Sequence, residues 1–586
     1  MSETANSPNS ENAIINAHTH IFISDDTPSQ LARKFVPGPI AWMLNTHLII
    51  KISKWIRNIN KKKYSFTSQN KAWQKYLASN SPIYGSARRL LLFVINIIFF
   101  FYLLYLILPL LSFWPIEGWL NSLYESEWAQ KLLIFSKRFQ YVWIILFILL
   151  VFKKIRNWFF KSSWELLKKR LGKHSVELLL RYINIINFAQ YEEMHTVFSK
   201  LKLQYPPDSK FIVLPMDMAL MKAGKTKRSY RDQMTDLLTI KSNNEKSIFP
   251  FLFAHPERMK ETINGKPYFK GNITDGGEFE LDDCDVKDYF KKGCAGVKIY
   301  PATGYYVFDE SLLPLWLYCD QKNIPITTHC SVGPIFYRGN LNKLRDKIDE
   351  HPIFKQIIGK NPDGSPKEVP LRLPLQKNSV FQRNFTHPLN YCCLLDEEFL
   401  KKVLDKHNSA YLNKIFGYKP ELQGKPIERN LSNLKINLAH YGGAENWDQF
   451  LEQDRYDYAN HIINKDEALM LKEKMHNPNI LYKYWHSVDW FSIISSMMIN
   501  FNNVYTDISY TSHDLKYLNL LSQILDNDDI AKRVLFGTDF YVVSNHKSEK
   551  QYWIDMQNSL GNHKWKKLSK SNPEEFLKMK PLNLDN

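Results

Sequence analysis

The sequence predicts an α/β chain built as a (β/α)8 TIM barrel, with a helical, transmembrane hairpin inserted after strand 1. Three observations carry that expectation. Eight short β-rich runs recur along the chain, helical patterns separate them, and a 25-residue uncharged run breaks the series after its first member. Buried parallel strands that alternate with helices close into a barrel, whose chemistry sits on the loops at the strand C-terminal ends.

The first run is AIINAHTH, residues 13–20, preceded by a polar leader at 1–11 that lacks the apolar core of a cleavable signal. It ends in His18 and His20. Alternation along a strand puts both imidazoles on one face, where they can clamp one ion. An HxH alone is a weak signal, so its meaning depends on further ligands elsewhere. Strand 1 and its loop are expected over 12–35.

An insertion is expected over 36–172. Residues 90–114, LLLFVINIIFFFYLLYLILPLLSFW, are uncharged, and a bilayer crossing needs only ~20 helical residues. The second run, FQYVWIILFILLVF at 139–152, is shorter; by itself it reads as a buried core helix, or as a short or interfacial membrane segment. Residues 27–116 carry twelve Lys and Arg and no Asp or Glu, and residues 153–173 carry eight basic residues and one acidic. These two flanks carry a net +19, so the rest of the chain is close to balanced against the total of +18. The positive-inside rule then predicts a multi-pass hairpin of two segments, with both ends and the barrel on the cytoplasmic side. Trp114, Trp119, Trp143 and Trp158 sit where interfacial aromatics belong. An amphipathic or buried hairpin in a soluble or monotopic protein is the competing reading. Charge this local argues against nucleic acid as a partner and for membrane lipid.

The remainder of the barrel is expected over 173–560. Its strands are FIVLPMD (211–217), IFPFLFAHP (248–256), GVKIYP (296–301), IPITTHC (324–330), KINLAHYGG (435–443), NVYTDIS (503–509) and RVLFGTD (533–539). Helical patterns such as SLLPLWLYCDQKN and WFSIISSMMINF lie between them. A long segment at 331–430 separates strands 5 and 6 and reads as a lid over the mouth; residues 561–586 read as a C-terminal tail. The six cysteines include no CxxC pair, and the neighbours Cys392 and Cys393 would form a strained bridge, so all six are expected as reduced thiols.

Metal-capable side chains recur at or near the strand ends. His18 and His20 close strand 1, Lys298 lies in strand 4, His329 closes strand 5, His440 closes strand 6 and Asp539 closes strand 8. The series NAHTHIF, FIVLPMDM, GVKIYPATGY, IPITTHCS, LKINLAHYGG, NVYTDIS and VLFGTDF resembles the strand series of the amidohydrolase superfamily, in the branch related to aminocarboxymuconate-semialdehyde decarboxylase. The resemblance covers residues 12 to about 30 and about 175 to 550. The insertion at about 36–172 and the long segment at 331–430 depart from the family pattern.

The resemblance implies His18, His20, His329 and Asp539 as metal ligands, with His440 as a second-metal ligand or an acid/base group. Such a set suits Zn2+ first, with Mn2+ or Fe2+ also accommodated, as one or two ions. A metal in such a site acidifies water and polarises a carbonyl or carboxylate. Asp539 would take and return the proton, and His440 would steer the nucleophile or stabilise developing charge. Lys298 is carbamylated in binuclear relatives; here it could equally bind a substrate carboxylate or pair with a buried acid. Asp507 and His255 also end strands, where a cap or strand-end hydrogen bond explains each as well. His387, in FTHPLNY, is either structural or substrate-facing. Tyr300, Tyr305 and Tyr306 either shape the pocket, with Tyr300 the substrate-binding candidate, or pack in the core.

The expected function is that of a membrane-anchored metal-dependent hydrolase acting on a small carbonyl- or carboxylate-bearing molecule, with C–N or C–O hydrolysis favoured. The alternatives are a metal-dependent non-oxidative decarboxylase and a non-catalytic membrane-associated barrel scaffold. A homo-oligomer is compatible with either. Fold-level analogy does not choose between C–N, C–O and C–C cleavage.

Overall fold

The computed structural model describes residues 13–28, 162, 165 and 193–582, less 334, 342–348, 374–377, 423, 453–470 and 544–546. Contacts divide the chain into residues 1–45 with 178–586, and residues 46–177. The hydrophobic runs at 90–114 and 139–152, their basic flanks and the polar leader lie outside the described residues. Among the described residues no helix is long and apolar enough to cross a membrane.

The barrel strands are β1 (Ile15–Thr19), β2 (Lys210–Val213), β3 (Ile248–Phe253), β4 (Gly296–Ile299), β5 (Ile326–His329), β6 (Ile436–Ala439), β7 (Val504–Asp507) and β8 (Val534–Leu535). Seven of them fall within the eight runs, and β2 starts one residue before its run. They form one sheet in chain order, and every neighbouring pair is parallel. The two edges meet: the Ala17 N–H donates to the Phe536 carbonyl at 2.7 Å, and the Thr538 and Asp539 N–H groups donate to the His18 carbonyl at 3.2 and 2.9 Å. Closure of this kind leaves no sheet edge unpaired. Gly537 permits it, because a Cβ there would stand 2.7 Å from the His18 Cβ.

Helices alternate with the strands: α1 (Met194–Lys202), α2 (Tyr230–Asn243), α3 (Asp285–Lys291), α4 (Leu313–Lys322), α5 (Glu397–His407), α6 (Trp490–Asn500), α7 (Leu518–Ile524) and α8 (Glu549–Lys566). Local chemistry fixes several starts. The Ser229 hydroxyl accepts from the Asp232 N–H to open α2, Asp396 accepts from Phe399 N–H to open α5, and Asp489 accepts from Ser492 N–H to open α6. The strand faces turned toward the helices carry residues such as Val213, Ile299 and Leu438 into the main core. A second cluster, of Ala17, Ile212, Leu214, Phe251, Tyr505 and Leu535 with Phe576, fills the barrel beneath the strand ends. The C-terminal stretch read as a tail is therefore packed: Phe576 joins that inner cluster, and the Asn572 amide donates to the Ala531 and Val534 carbonyls, both at 2.7 Å. The segment between β5 and β6 holds an antiparallel hairpin, Glu350–Lys360 with Pro366–Arg372, followed by helices. All six cysteines are buried and free.

Candidate metal centre

The site forms where β1, β4, β5, β6, β7 and β8 end. In β1 the register with β2 slips: Asn16 faces Phe211 but Thr19 faces Val213, so three steps on β1 match two on β2. This bulge turns both Ala17 and His18 toward the barrel interior, and His20 follows on the same side. Bulges commonly re-aim a side chain in this way beside functional sites. At the mouth, His440, Tyr441, Tyr510 and Asp539 all hold left-handed backbone, with φ of +67°, +45°, +61° and +53°. Non-glycine residues hold such φ values at a cost of about 1 kcal/mol or more each, and they cluster where geometry is imposed for function.

Hydrogen-bond partners set the tautomer of each imidazole. His18 Nδ1–H donates to Asp507 Oδ2 at 2.9 Å, and His20 Nδ1–H donates to the Leu214 carbonyl at 2.7 Å. Both Nε2 atoms therefore carry lone pairs. That of His18 is buried without any hydrogen-bond donor, and that of His20 faces Asp539 Oδ1 at 3.9 Å. Nitrogen and oxygen donor atoms of His18, His20 and Asp539 all lie within 4.8 Å of one another. Three electron-pair donors converge with no proton between them, which is the arrangement that fits a divalent cation.

A directed chain of hydrogen bonds runs beside this group. His329 Nδ1–H donates to His440 Nε2 at 3.0 Å, His440 Nδ1–H donates to Ser509 Oγ at 2.9 Å, and the Ser509 hydroxyl donates to Asp507 Oδ1. Asp507 also accepts from the Asn437 amide at 2.8 Å and the His440 N–H at 3.1 Å. Burial by itself would raise the Asp507 carboxyl, yet His18 and these donors hold it well below the ordinary carboxylate range. It is the anionic anchor of two site histidines. Burial, then the neighbouring cationic forms of His18 and Lys298, keep His20 well below the usual imidazole range; His440 is pushed down to about 3 by burial and His18. His20 and His440 are therefore neutral, as a ligand and a proton acceptor must be.

The sequence-derived residues sort as follows. His18, His20 and Asp539 come together. His329 is one step away: among the described residues it joins neither this group nor the neighbouring one of His18, His440 and Asp507, and its Nδ1 is committed to His440. His440 borders the same pocket as His20, His329 and Asp539. Lys298 is fully buried with no hydrogen-bond partner for Nζ, and burial lowers it to about 8. Tyr300 lines the pocket, with its ring stacked on His329 at 4.2 Å and 5.7 Å from Lys298 Nζ. Tyr305 accepts from the Tyr300 N–H at 3.0 Å, whereas Tyr306 packs on Phe308, His351 and Phe385 in the core. His255 caps a helix turn, Pro256–Met259, through Nδ1.

His387 is the correction. It does not border the pocket; its Nδ1 accepts from the Leu389 N–H at 3.2 Å, and its ring lies 3.9 Å above Trp485. The Pro388 that follows starts a helical turn, which makes the imidazole a cap. Three functional residues were not read from the sequence: Ser509, Asn437 and Asn16 all act through contacts with residues distant in the chain. The Asp507-x-Ser509 spacing, which forms a local turn with the Ser509 N–H donating to Asp507 Oδ1 at 3.1 Å, was the available signal.

No protein-family model matches the chain, and no curated protein matches it. Solved structures similar to it include amidohydrolase-superfamily members. One is 5-carboxyvanillate decarboxylase from Novosphingobium aromaticivorans with manganese, 11% identical over 63% of this chain and 76% of that one, TM-score 0.31. Another is 2,6-dihydroxybenzoate decarboxylase from Rhizobium, 12% identical over 69% and 92%, TM-score 0.33. A third is a probable 2-pyrone-4,6-dicarboxylic acid hydrolase from Acinetobacter baumannii, 8% identical over 65% and 88%, TM-score 0.28. At such TM-scores these likenesses carry no argument, and the fold and chemistry rest on the strands and side chains described above.

Proposed function

We propose that this chain is a metal-dependent enzyme that acts at the carbonyl or carboxylate carbon of a small substrate, anchored to a membrane by the runs at 90–114 and 139–152. The carrying observation is the convergence of the His18 and His20 Nε2 lone pairs on the Asp539 carboxylate, with no proton available between them. A divalent ion held by these three residues, Zn2+ or Mn2+, supplies Lewis-acid polarisation of a substrate oxygen and makes water more acidic.

The chain's own groups do the rest. Asp539, at the pocket wall, holds and passes a proton at its carboxylate. His440 accepts a proton at Nε2 once His329 turns its Nδ1–H away, and the resulting imidazolium is stabilised through Ser509 by Asp507. Lys298 offers a buried ammonium to an anionic substrate group, and Tyr300 supports the ring of His329. Hydrolysis is the first reading. Non-oxidative decarboxylation is the second, favoured by the apolar side of the pocket, where Met216, Ile335 and the stacked pair Phe22 and Tyr541 border the site. The membrane part is supported by the sequence alone, through the uncharged runs and their basic flanks.

The test is metal analysis of the native full chain, followed by chelation and reloading with Zn2+ or Mn2+ against a panel of small esters, amides and aromatic or aliphatic carboxylic acids. Stoichiometric metal with restorable turnover supports the reading; CO2 release without incorporation of solvent oxygen selects decarboxylation. Native protein that folds but holds no divalent ion overturns it.

A further inference from the structure

The bulge that aims His18 has a support outside the barrel, and that support reaches α8. A bulge takes a backbone N–H off the strand ladder, and a buried N–H without an acceptor costs about 1–3 kcal/mol. Here the His18 N–H donates to Asn16 Oδ1 at 3.1 Å. The other end of the same amide donates twice, to Tyr205 Oη at 2.9 Å and to Thr538 Oγ1 at 2.8 Å. Tyr205 Oη in turn donates to Glu549 Oε2 at 2.6 Å. Asn16 and Glu549 are buried, and Tyr205 is 8% exposed.

We propose that Glu549, Tyr205 and Asn16 are positioning residues that set the metal-binding geometry of β1 from behind the barrel wall. Only an amide serves at position 16: an acceptor is needed for the bulged N–H and two donors for Tyr205 and Thr538. The Thr538 contact matters because Thr538 precedes Asp539, so one side chain ties the β1 ligands to the β8 ligand across the closing seam. The outer end of the chain is itself fixed. The Gln204 side chain accepts from the Glu549 N–H at 3.1 Å, and the Gln204 carbonyl accepts from Trp553 Nε1 at 3.0 Å. The stretch after α1 is thereby fastened to α8. A partner one hydrogen bond removed from a metal ligand, as Asn16 is, typically changes metal affinity by 10–100-fold when removed, and Tyr205 and Glu549 stand one and two bonds further out along the same chain.

This inference rests on the metal reading, and the experiment separates the two. Zn2+ affinity of the full chain is measured by competition with a chelating dye, alongside thermal unfolding of the metal-free protein. Tyr205→Phe, which deletes one oxygen, is expected to weaken Zn2+ binding by about 10-fold or more, and Glu549→Leu to do the same. Glu549→Gln, which keeps an acceptor for Tyr205, is expected to restore affinity to within about 3-fold of wild type. Tyr268→Phe is the control: its buried hydroxyl donates to the Phe253 carbonyl at 2.6 Å, on another wall of the barrel. It should lower the melting temperature and leave Zn2+ affinity unchanged. If wild type binds Zn2+ tightly and Tyr205→Phe binds it equally well, the positioning role is wrong and the metal reading stands. A Tyr205→Phe effect confined to melting temperature also overturns it. Wild type that binds no divalent ion removes both.

Discussion

Two regions of this molecule bury histidines, and they differ in one respect. At the strand ends, His18 donates through Nδ1 and leaves a buried Nε2 lone pair without a donor; in the segment between β5 and β6, His387 accepts through Nδ1 and so carries its proton on the buried Nε2. Burial pushes His387 well below the usual imidazole range, as it does His20 and His329. The surroundings separate them. His18 has the Asp507 carboxylate on Nδ1, with His20 Nε2 and Asp539 converging on its far side. His387 has Trp485 stacked on its face and Trp490 at its edge. A buried imidazole nitrogen becomes a cation site only where it carries a lone pair and shares its space with carboxylates and other lone pairs. Among aromatic rings it is a packing group that also caps a turn.

The largest expected effect breaks the comparison at the strand ends. His18→Ala combined with His20→Ala, or Asp539→Asn, should lower Zn2+ or Mn2+ affinity by more than about 100-fold. His387→Phe should leave the metal content of the purified chain at the wild-type level while lowering thermal stability. Metal analysis and melting curves on the same preparations decide. A loss of metal in His387→Phe would show that the two regions are coupled and the contrast false.

The strands were legible because each is a short apolar run that stops at a polar residue, and a closed parallel barrel makes every such stop a mouth position. His18, His20 and Asp539 were legible by residue type at those stops. His329 stands at the expected strand end, but among the described residues it falls outside the groups of three whose ligand atoms lie within 4.8 Å of one another. The bulge in β1 was not legible, since strict alternation already put His18 and His20 on one face. What it adds is the turning of Ala17 and the freed N–H that Asn16 accepts. Asn16 lies 522 residues from Thr538 and 189 from Tyr205, and no local pattern announces a bond over such distances. His387 stays open between a structural and a substrate-facing role in the sequence, because a histidine before a proline in a long loop looks like a displayed group. The Pro388 that opens a helical turn was the signal that it is a cap. Phe576 lay in what read as a tail, because nothing local says that its ring enters the barrel floor.

Lys298 sharpens the contrast, because it is a buried charge retained inside the strand-end region with no hydrogen-bond partner. A buried ammonium without a hydrogen-bond partner carries a desolvation cost that an apolar side chain of similar size does not. Lys298→Met is therefore expected to melt at or above the wild-type temperature, to bind the same number of divalent ions, and to lose turnover mainly through a raised KM for acidic substrates. A metal count that falls from two in wild type to one in Lys298→Met would instead identify a carbamylated, ion-bridging lysine.

The smallest expected effect lies in the other region and depends on pH. His351 is buried beside Phe354 and Trp485; its Nδ1 accepts from the Ile353 and Phe354 N–H groups at 3.2 and 2.8 Å, and its Nε2–H donates to Asn390 Oδ1 at 2.9 Å. Burial lowers it to about 3, against which the Asn390 contact acts only weakly. The folded value lies below the unfolded value of about 6.5, so the unfolded segment binds the proton first. Its contribution is thus complete above about pH 6.5 and shrinks as pH falls toward about 3, at up to about 1.4 kcal/mol per pH unit. Protonation would also strip Nδ1 of its lone pair and leave both N–H donors without an acceptor. Hydrogen exchange at Ile353 and Phe354, corrected for the intrinsic pH dependence of exchange, should lose protection between pH 6 and pH 4. In His351→Gln, whose side chain does not titrate, protection at those amides should not vary over that range. A wild-type profile as flat as that of the variant would show that this histidine is not what ties the hairpin to pH.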